Sequence, residues 1–194
     1  MAITQAEYLR GVRRTYPALS GDMMLVNMAL GLCGETVELR DQLEKSWQVA
    51  RRLGNTLDPL AVLAREREEV ISEFGDCLWY LFASADTLMS GHGEVPDLVD
   101  NAEWLGGSKL GVGMPLDFCD ATIRVTCRYA ESVKKLVFHN KPLDRASVMG
   151  VLSLYARCVA GLYAEYEPGG SLSAVAESNL RKLQERYPAG FKTS

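Results

Sequence analysis

The sequence is short of the features that mark several common protein classes. Runs of alternating apolar and polar residues are nearly missing, which argues against a sheet protein. There are only two histidines, His92 and His139, and the five cysteines include no C-x-x-C pair, so a Cys/His zinc site with short ligand spacing is excluded. No charge-free apolar run extends beyond Met23 to Gly34, too short to span a bilayer. The opening MAITQAEYLRGVRR lacks the apolar core of a secretory signal. Nor is there a basic excess: 25 acidic against 21 basic residues leave a formal charge of −4, without the electrostatic footprint of a nucleic-acid binder. The expectation is a cytoplasmic protein with neither membrane nor nucleic acid as partner. In that reducing compartment Cys33, Cys77, Cys119, Cys127 and Cys158, at apolar helical positions, are expected to be buried thiols.

What is there is apolar periodicity. Apolar residues form 47% of 194 residues, enough for a sizeable core, and they recur three and four apart, the amphipathic-helix pattern. The spacing predicts helices near 4–17, 21–52, 58–91, 96–105, 116–139, 144–167 and 171–187, an all-α bundle. The densest group of helix breakers is Gly106 to Pro115. Its Gly111-Val112-Gly113 follows no strand, so it reads as a linker rather than a phosphate loop. That linker divides the chain into 1–105, 106–115 and 116–194. One constant offset carries Val70, Phe74, Leu81, Gly91, Asn101 and Leu105 onto Val148, Leu152, Val159, Gly169, Asn179 and Leu183. A longer offset places Glu35 and Glu38 on Val125 and Arg128, which implies an insertion in the first half near 46–65. The chain therefore reads as two all-helical units in tandem.

The chemistry lies in the acids. Gly34-Glu35-Thr36-Val37-Glu38 and Glu73-Phe74-Gly75-Asp76 each place two carboxylates three residues apart, on one helix face. On the second helix Val70, Phe74, Cys77 and Leu81 form the core stripe, and Glu69, Glu73, Asp76 and Tyr80 run beside it. Acids flanking a core stripe face a neighbouring helix, where unpaired carboxylates repel one another. A single E-x-x-E reads as a solvated acidic face. Two such motifs, each inside an apolar helix, point to a hard divalent cation held by Glu35, Glu38, Glu73 and Asp76. Trp47, Trp79, Tyr80 and Trp104 are open to two readings, base-stacking groups or, the favoured one, core packing.

L-x-G-E-x-x-E-L followed by E-[apolar]-G-D-x-L-W-Y-L resembles the MazG-type all-α nucleoside triphosphate pyrophosphohydrolases. So do the closing N-L-R-K-L-x-x-R-Y-P-x-G-F from Asn179 to Phe191 and the stretch from Lys134-Lys135 to Arg145. The resemblance covers most of 21–191. It implies two MazG-like four-helix units in tandem, Mg²⁺ (with Mn²⁺ as a substitute) on the four acids, and hydrolysis of an NTP or dNTP to the monophosphate and pyrophosphate, controlling nucleotide pools. It further implies that Asn179 and Lys182 hold the nucleotide; Arg186 shares their face by spacing as a weaker candidate for phosphate contact, and a carboxylate not fully committed to metal, Glu35 or Glu38, would take the proton of the attacking water. The partner is then the nucleoside triphosphate, and the protein a homo-oligomer or a pseudo-dimeric monomer. The chain departs from the family pattern in two ways. The stretch between Glu38 and Glu73 is long, and the second half has lost the acids (Val125, Arg128, Val151, Leu154) while the first shows Trp104 where the second has Lys182. The alternatives are a non-enzymatic helical scaffold or regulatory subunit, and a related hydrolase acting on phosphoribosyl-ATP.

Overall fold

Local capping chemistry sets the helix starts. Thr4 and Glu7 form a reciprocal capping box: the Thr4 hydroxyl accepts from Glu7 N at 3.2 Å and the Glu7 carboxylate from Thr4 N at 2.9 Å. This opens α1 (Gln5–Arg13). There follow α2 (Gly21–Arg52), α3 (Pro59–Met89), α4 (Asn101–Trp104), α5 (Pro115–His139), α6 (Arg145–Tyr166) and α7 (Leu172–Arg186). Asp100, Asp144 and Ser171 cap α4, α6 and α7 by accepting from backbone N–H groups two or three residues on. The computed structural model describes residues 2–52, 59–106 and 115–190, and no strand occurs among them. All but the two ends of the expected linker, 106–115, lies outside the described residues.

Two antiparallel pairs, α2 with α3 and α5 with α6, make the bundle; α2 packs on α5, α3 packs on α6, and α1 and α7 lie against α3. The anticipated stripe is the centre of the core: Val70, Phe74, Cys77 and Leu81 are fully buried. Phe74 meets Tyr163 of α6 edge to face, with ring centroids 5.1 Å apart. Residues on both sides of the linker join one continuous apolar cluster. Among the described residues α6 is the one helix long and apolar enough to cross a membrane, and half of its apolar window is buried within the bundle.

Three expectations need correction. α1 stops at Arg13 rather than continuing to 17, because the chain turns at Arg14 and Thr15 toward Pro17, whose ring disfavours helical geometry at Tyr16. The helix expected at 96–105 shrinks to Asn101–Trp104. Residues Leu98 and Val99 instead bond to the buried Gln5 amide, whose Oε1 accepts from their N–H groups at 3.0 and 3.1 Å and whose Nε2 donates to Val99 O at 2.8 Å. The five cysteines are free thiols, but only Cys77 and Cys119 are buried; Cys33 and Cys158 are half-buried and Cys127 is exposed. The buried stripe of α5 is Cys119, Thr122, Val125, Thr126, Tyr129 and Val133, and Cys127 falls on the outer face beside Arg124 and Arg128.

Candidate functional site

Facing turns of α2 and α3 bring together Glu35, Glu73 and Asp76, each half-buried, with one carboxylate oxygen from each lying within 4.8 Å of the others. Helix periodicity puts these acids on the flank of the core stripe, and antiparallel packing of the two helices brings the flanks into register. Burial and mutual repulsion oppose ionisation. The Glu35 carboxyl is pushed from its ordinary 4.5 up to about 7, first by desolvation and then by the charges of Asp76, Glu38 and Glu73. Glu73 is raised for the same reasons, with desolvation leading. Glu38, expected as a fourth member, stands outside this group. It is exposed at the rim, near enough for its charge to raise both neighbours. Glu69 is also drawn away: Lys45 at 2.9 Å and Arg65 at 3.0 Å pair with it and hold its carboxyl low, at about 2.

The other half of the chain reaches the acids through α7. A Cβ on Gly75 would lie 2.9 Å from the Cβ of Asn179, so glycine is what lets α7 approach α3 this closely. Asn179, 3% exposed, donates from Nδ2 to Asp76 Oδ1 at 2.9 Å and accepts the Tyr8 hydroxyl on Oδ1 at 2.9 Å. Full burial and the charge of Asp76 hold the Tyr8 phenol well above its ordinary pKa, so it stays a donor. One turn along α7, the Lys182 ammonium donates to Asp76 Oδ1 at 2.6 Å, to Asp76 Oδ2, and to Ser72 Oγ at 3.1 Å. Asn179 and Lys182, singled out in the sequence, therefore meet Asp76 directly.

A cleft of about 250 Å³ leads away from the acids. Glu35, Asp76 and Lys182 line it together with Asn27, Trp79, Tyr80 and Arg186. Arg186 is exposed and its guanidinium lies 5.5 Å from the centre of the Tyr187 ring. Tyr80 is half-buried and meets Trp79 edge-on at 4.7 Å; the absence of a side chain on Gly31 makes room for its ring. Trp79 is pinned by its indole N–H, which donates to Thr15 Oγ1 at 2.8 Å. Trp104 is core: it is 1% exposed, with its indole N–H on Ile3 O at 2.7 Å. Trp47 packs against the core away from the cleft.

Sequence reasoning missed Tyr8 and Asn27. Tyr8 lies on a short helix far from either motif, and nothing local announces that its hydroxyl ends on Asn179. Asn27 carries the one available signal, a polar side chain inside the apolar run of α2. Fold and site together define an all-α protein with a three-carboxylate cluster, two of whose members line a cleft with aromatic side chains. No protein-family model, curated protein or solved structure matches the chain.

Proposed function

We propose that the protein is a Mg²⁺-dependent hydrolase that cleaves nucleoside or deoxynucleoside triphosphates to the monophosphate and pyrophosphate. One observation carries this reading. Three carboxylates from two helices converge, and two of them, Glu35 and Asp76, line a cleft that also presents Lys182, Arg186 and aromatic side chains. Three hard oxygen donors with repelling charges fit a divalent cation that favours carboxylate and leaves sites for phosphate. Glu35, Glu73 and Asp76 would hold it, with Glu38 at the rim. When bound, Mg²⁺ neutralises charge on the phosphates and makes water a better nucleophile.

The chain's own groups divide the remaining work. Lys182 and Arg186 offer positive charge to the phosphates, and the half-buried Tyr80, braced edge-on by the buried Trp79, offers ring surface to the base. A carboxylate not fully committed to the cation is needed as general base, and Glu35 and the rim residue Glu38 are the two in place for it. Water attacks the α-phosphorus, its proton passes to Glu35 or Glu38, the α–β bridging P–O bond breaks and pyrophosphate leaves. Tyr8 and Asn179 keep Asp76 oriented.

The finer architecture belongs to the same reading: two copies of one helical unit folded against each other as a pseudo-dimer. Burial repeats in register. Ala29, Leu32, Thr36, Leu39 and Leu43 on α2 correspond to Cys119, Thr122, Thr126, Tyr129 and Val133 on α5, all buried. Val70, Phe74, Cys77, Leu78 and Leu81 on α3 correspond likewise to Val148, Leu152, Tyr155, Ala156 and Val159 on α6. The acids come from the first copy and Asn179 and Lys182 from the second.

The test is a panel of the common NTPs and dNTPs with Mg²⁺, followed by chromatography. A nucleoside monophosphate and pyrophosphate in equal amounts are expected, and none in EDTA. A diphosphate with orthophosphate would refute cleavage between the α- and β-phosphates, and no turnover of any nucleotide would leave the scaffold alternative.

A further inference from the structure

The contact between Lys182 and Asp76 puts an ammonium where the proposed function needs a divalent cation. Both oxygens of Asp76 are already engaged: Oδ1 by Asn179 and Lys182, and Oδ2 by Lys182. Asp76 therefore has no oxygen free of an ammonium to offer while Lys182 stays in place. The two donors differ in mobility. Asn179 is buried and fixed from behind by the fully buried Tyr8. Lys182 has a side chain 37% exposed and a long flexible stem, so it can leave while Asn179 remains. It also has somewhere to go. On one side is the cleft that Arg186 lines, and on the other a groove of about 400 Å³ bordered by Arg67, Glu68, Ser72 and Ser178.

We propose that Lys182 is an internal counter-cation, holding Asp76 in the empty protein and passing to the polyphosphate when nucleotide arrives. The inference rests on the reading of Glu35, Glu73 and Asp76 as a divalent-cation site. Its consequence is coupling. A cation binding alone has to displace an ammonium that finds no new anion better than the exposed Glu68 of that groove, so it binds weakly. A cation arriving with a polyphosphate displaces an ammonium that immediately gains one. By linkage, cation and polyphosphate then each raise the affinity for the other. The protein would thus resist binding free cation without substrate. A lysine suits this role better than an arginine, because a compact point charge on a flexible stem exchanges partners, whereas a planar fork tends to lock onto one carboxylate.

The test uses the full chain at pH 8, with Mn²⁺ as probe, and compares wild type with Lys182→Met and Lys182→Gln. Mn²⁺ alone is titrated first, and then Mn²⁺ in complex with a non-hydrolysable α,β-methylene deoxynucleoside triphosphate. Losing one charge-assisted contact should change each affinity roughly 10-fold, in opposite directions. Mn²⁺ alone binds more tightly to both variants, and the Mn²⁺–nucleotide complex binds more weakly. A merely structural lysine would weaken both, and circular dichroism checks that both variants are helical. Unchanged or weaker binding of Mn²⁺ alone overturns the inference but spares the metal site, as does an unchanged affinity for the complex. No Mn²⁺ binding by wild type or by either variant overturns the metal-site reading, and the inference with it.

Discussion

Replacing Glu35 by glutamine should stabilise the metal-free protein at alkaline pH and abolish turnover. The carboxyl sits at about 7 in the folded chain against an ordinary 4.5, which corresponds to an upper limit of about 3.4 kcal/mol between its protonated and ionised forms. Because the group is only half-buried, solvent screening reduces this to about 1 kcal/mol. The sign follows from proton uptake. Between pH 4.5 and 7 the folded state keeps a proton that the unfolded state has lost, so stability falls as pH rises through that window. Above pH 7 both states are ionised, and the full cost of holding a charge beside Asp76, Glu38 and Glu73 is present. Glutamine escapes that cost.

In EDTA at pH 8, Glu35→Gln should therefore raise Tm by about 2–4 °C, and the gain should shrink toward zero as pH falls to 4. In excess Mg²⁺ the order should reverse, because wild type gains stability from ligand binding and the variant loses a ligand. Calorimetric melts at pH 4, 6 and 8, with and without Mg²⁺, read all three statements. A variant less stable than wild type in EDTA at pH 8, or a gain independent of pH, would refute the assignment of Glu35 to a desolvated, repelling cluster.

The two rim and centre carboxylates should separate. Asp76→Asn should abolish Mg²⁺-dependent turnover with the helical circular dichroism intact, whereas the exposed Glu38→Gln should cost about 10-fold, one charge at the margin; equal losses in steady-state assays would reject the distinction. Residues 1–105 alone should not hydrolyse nucleotide, and adding 114–194 as a separate chain should restore some activity. A fully active first half would refute the need for Lys182 and Asn179.

The helices and the acids were legible in the sequence because each is written locally. Periodicity located α2, α3 and α5 to α7 within about two residues at each end, and the placement of Glu73 and Asp76 one step off the Val70–Leu81 stripe is a property of one helix. What was not legible depends on partners distant in sequence. Helix 96–105 failed because Gln5 offers its amide to Leu98 and Val99, and that bond wins over the helix they would otherwise join. The exposed position of Glu38 was not legible because periodicity fixes a residue's face but not the depth at which the neighbouring helix crosses it. Glu38 lies one turn from Glu35 on the same face and still falls at the rim.

Tyr8 shows how far the missing information extends. Its hydroxyl closes a chain from α1 through Asn179 of α7 to Asp76 of α3, so three elements from both ends of the protein set the orientation of one carboxylate. Gly75 makes that chain short enough, since a methyl there would press on Asn179. The acids are thus written in the first half of the sequence, but their arrangement depends on the second. A cluster of three half-buried carboxylates repels itself, and what tempers the repulsion in this structure is Lys182, contributed by the last helix. On the proposed reading, the residue that tempers this repulsion is the one that a bound cation would have to displace, which would tie the stability of the fold to the readiness of the site.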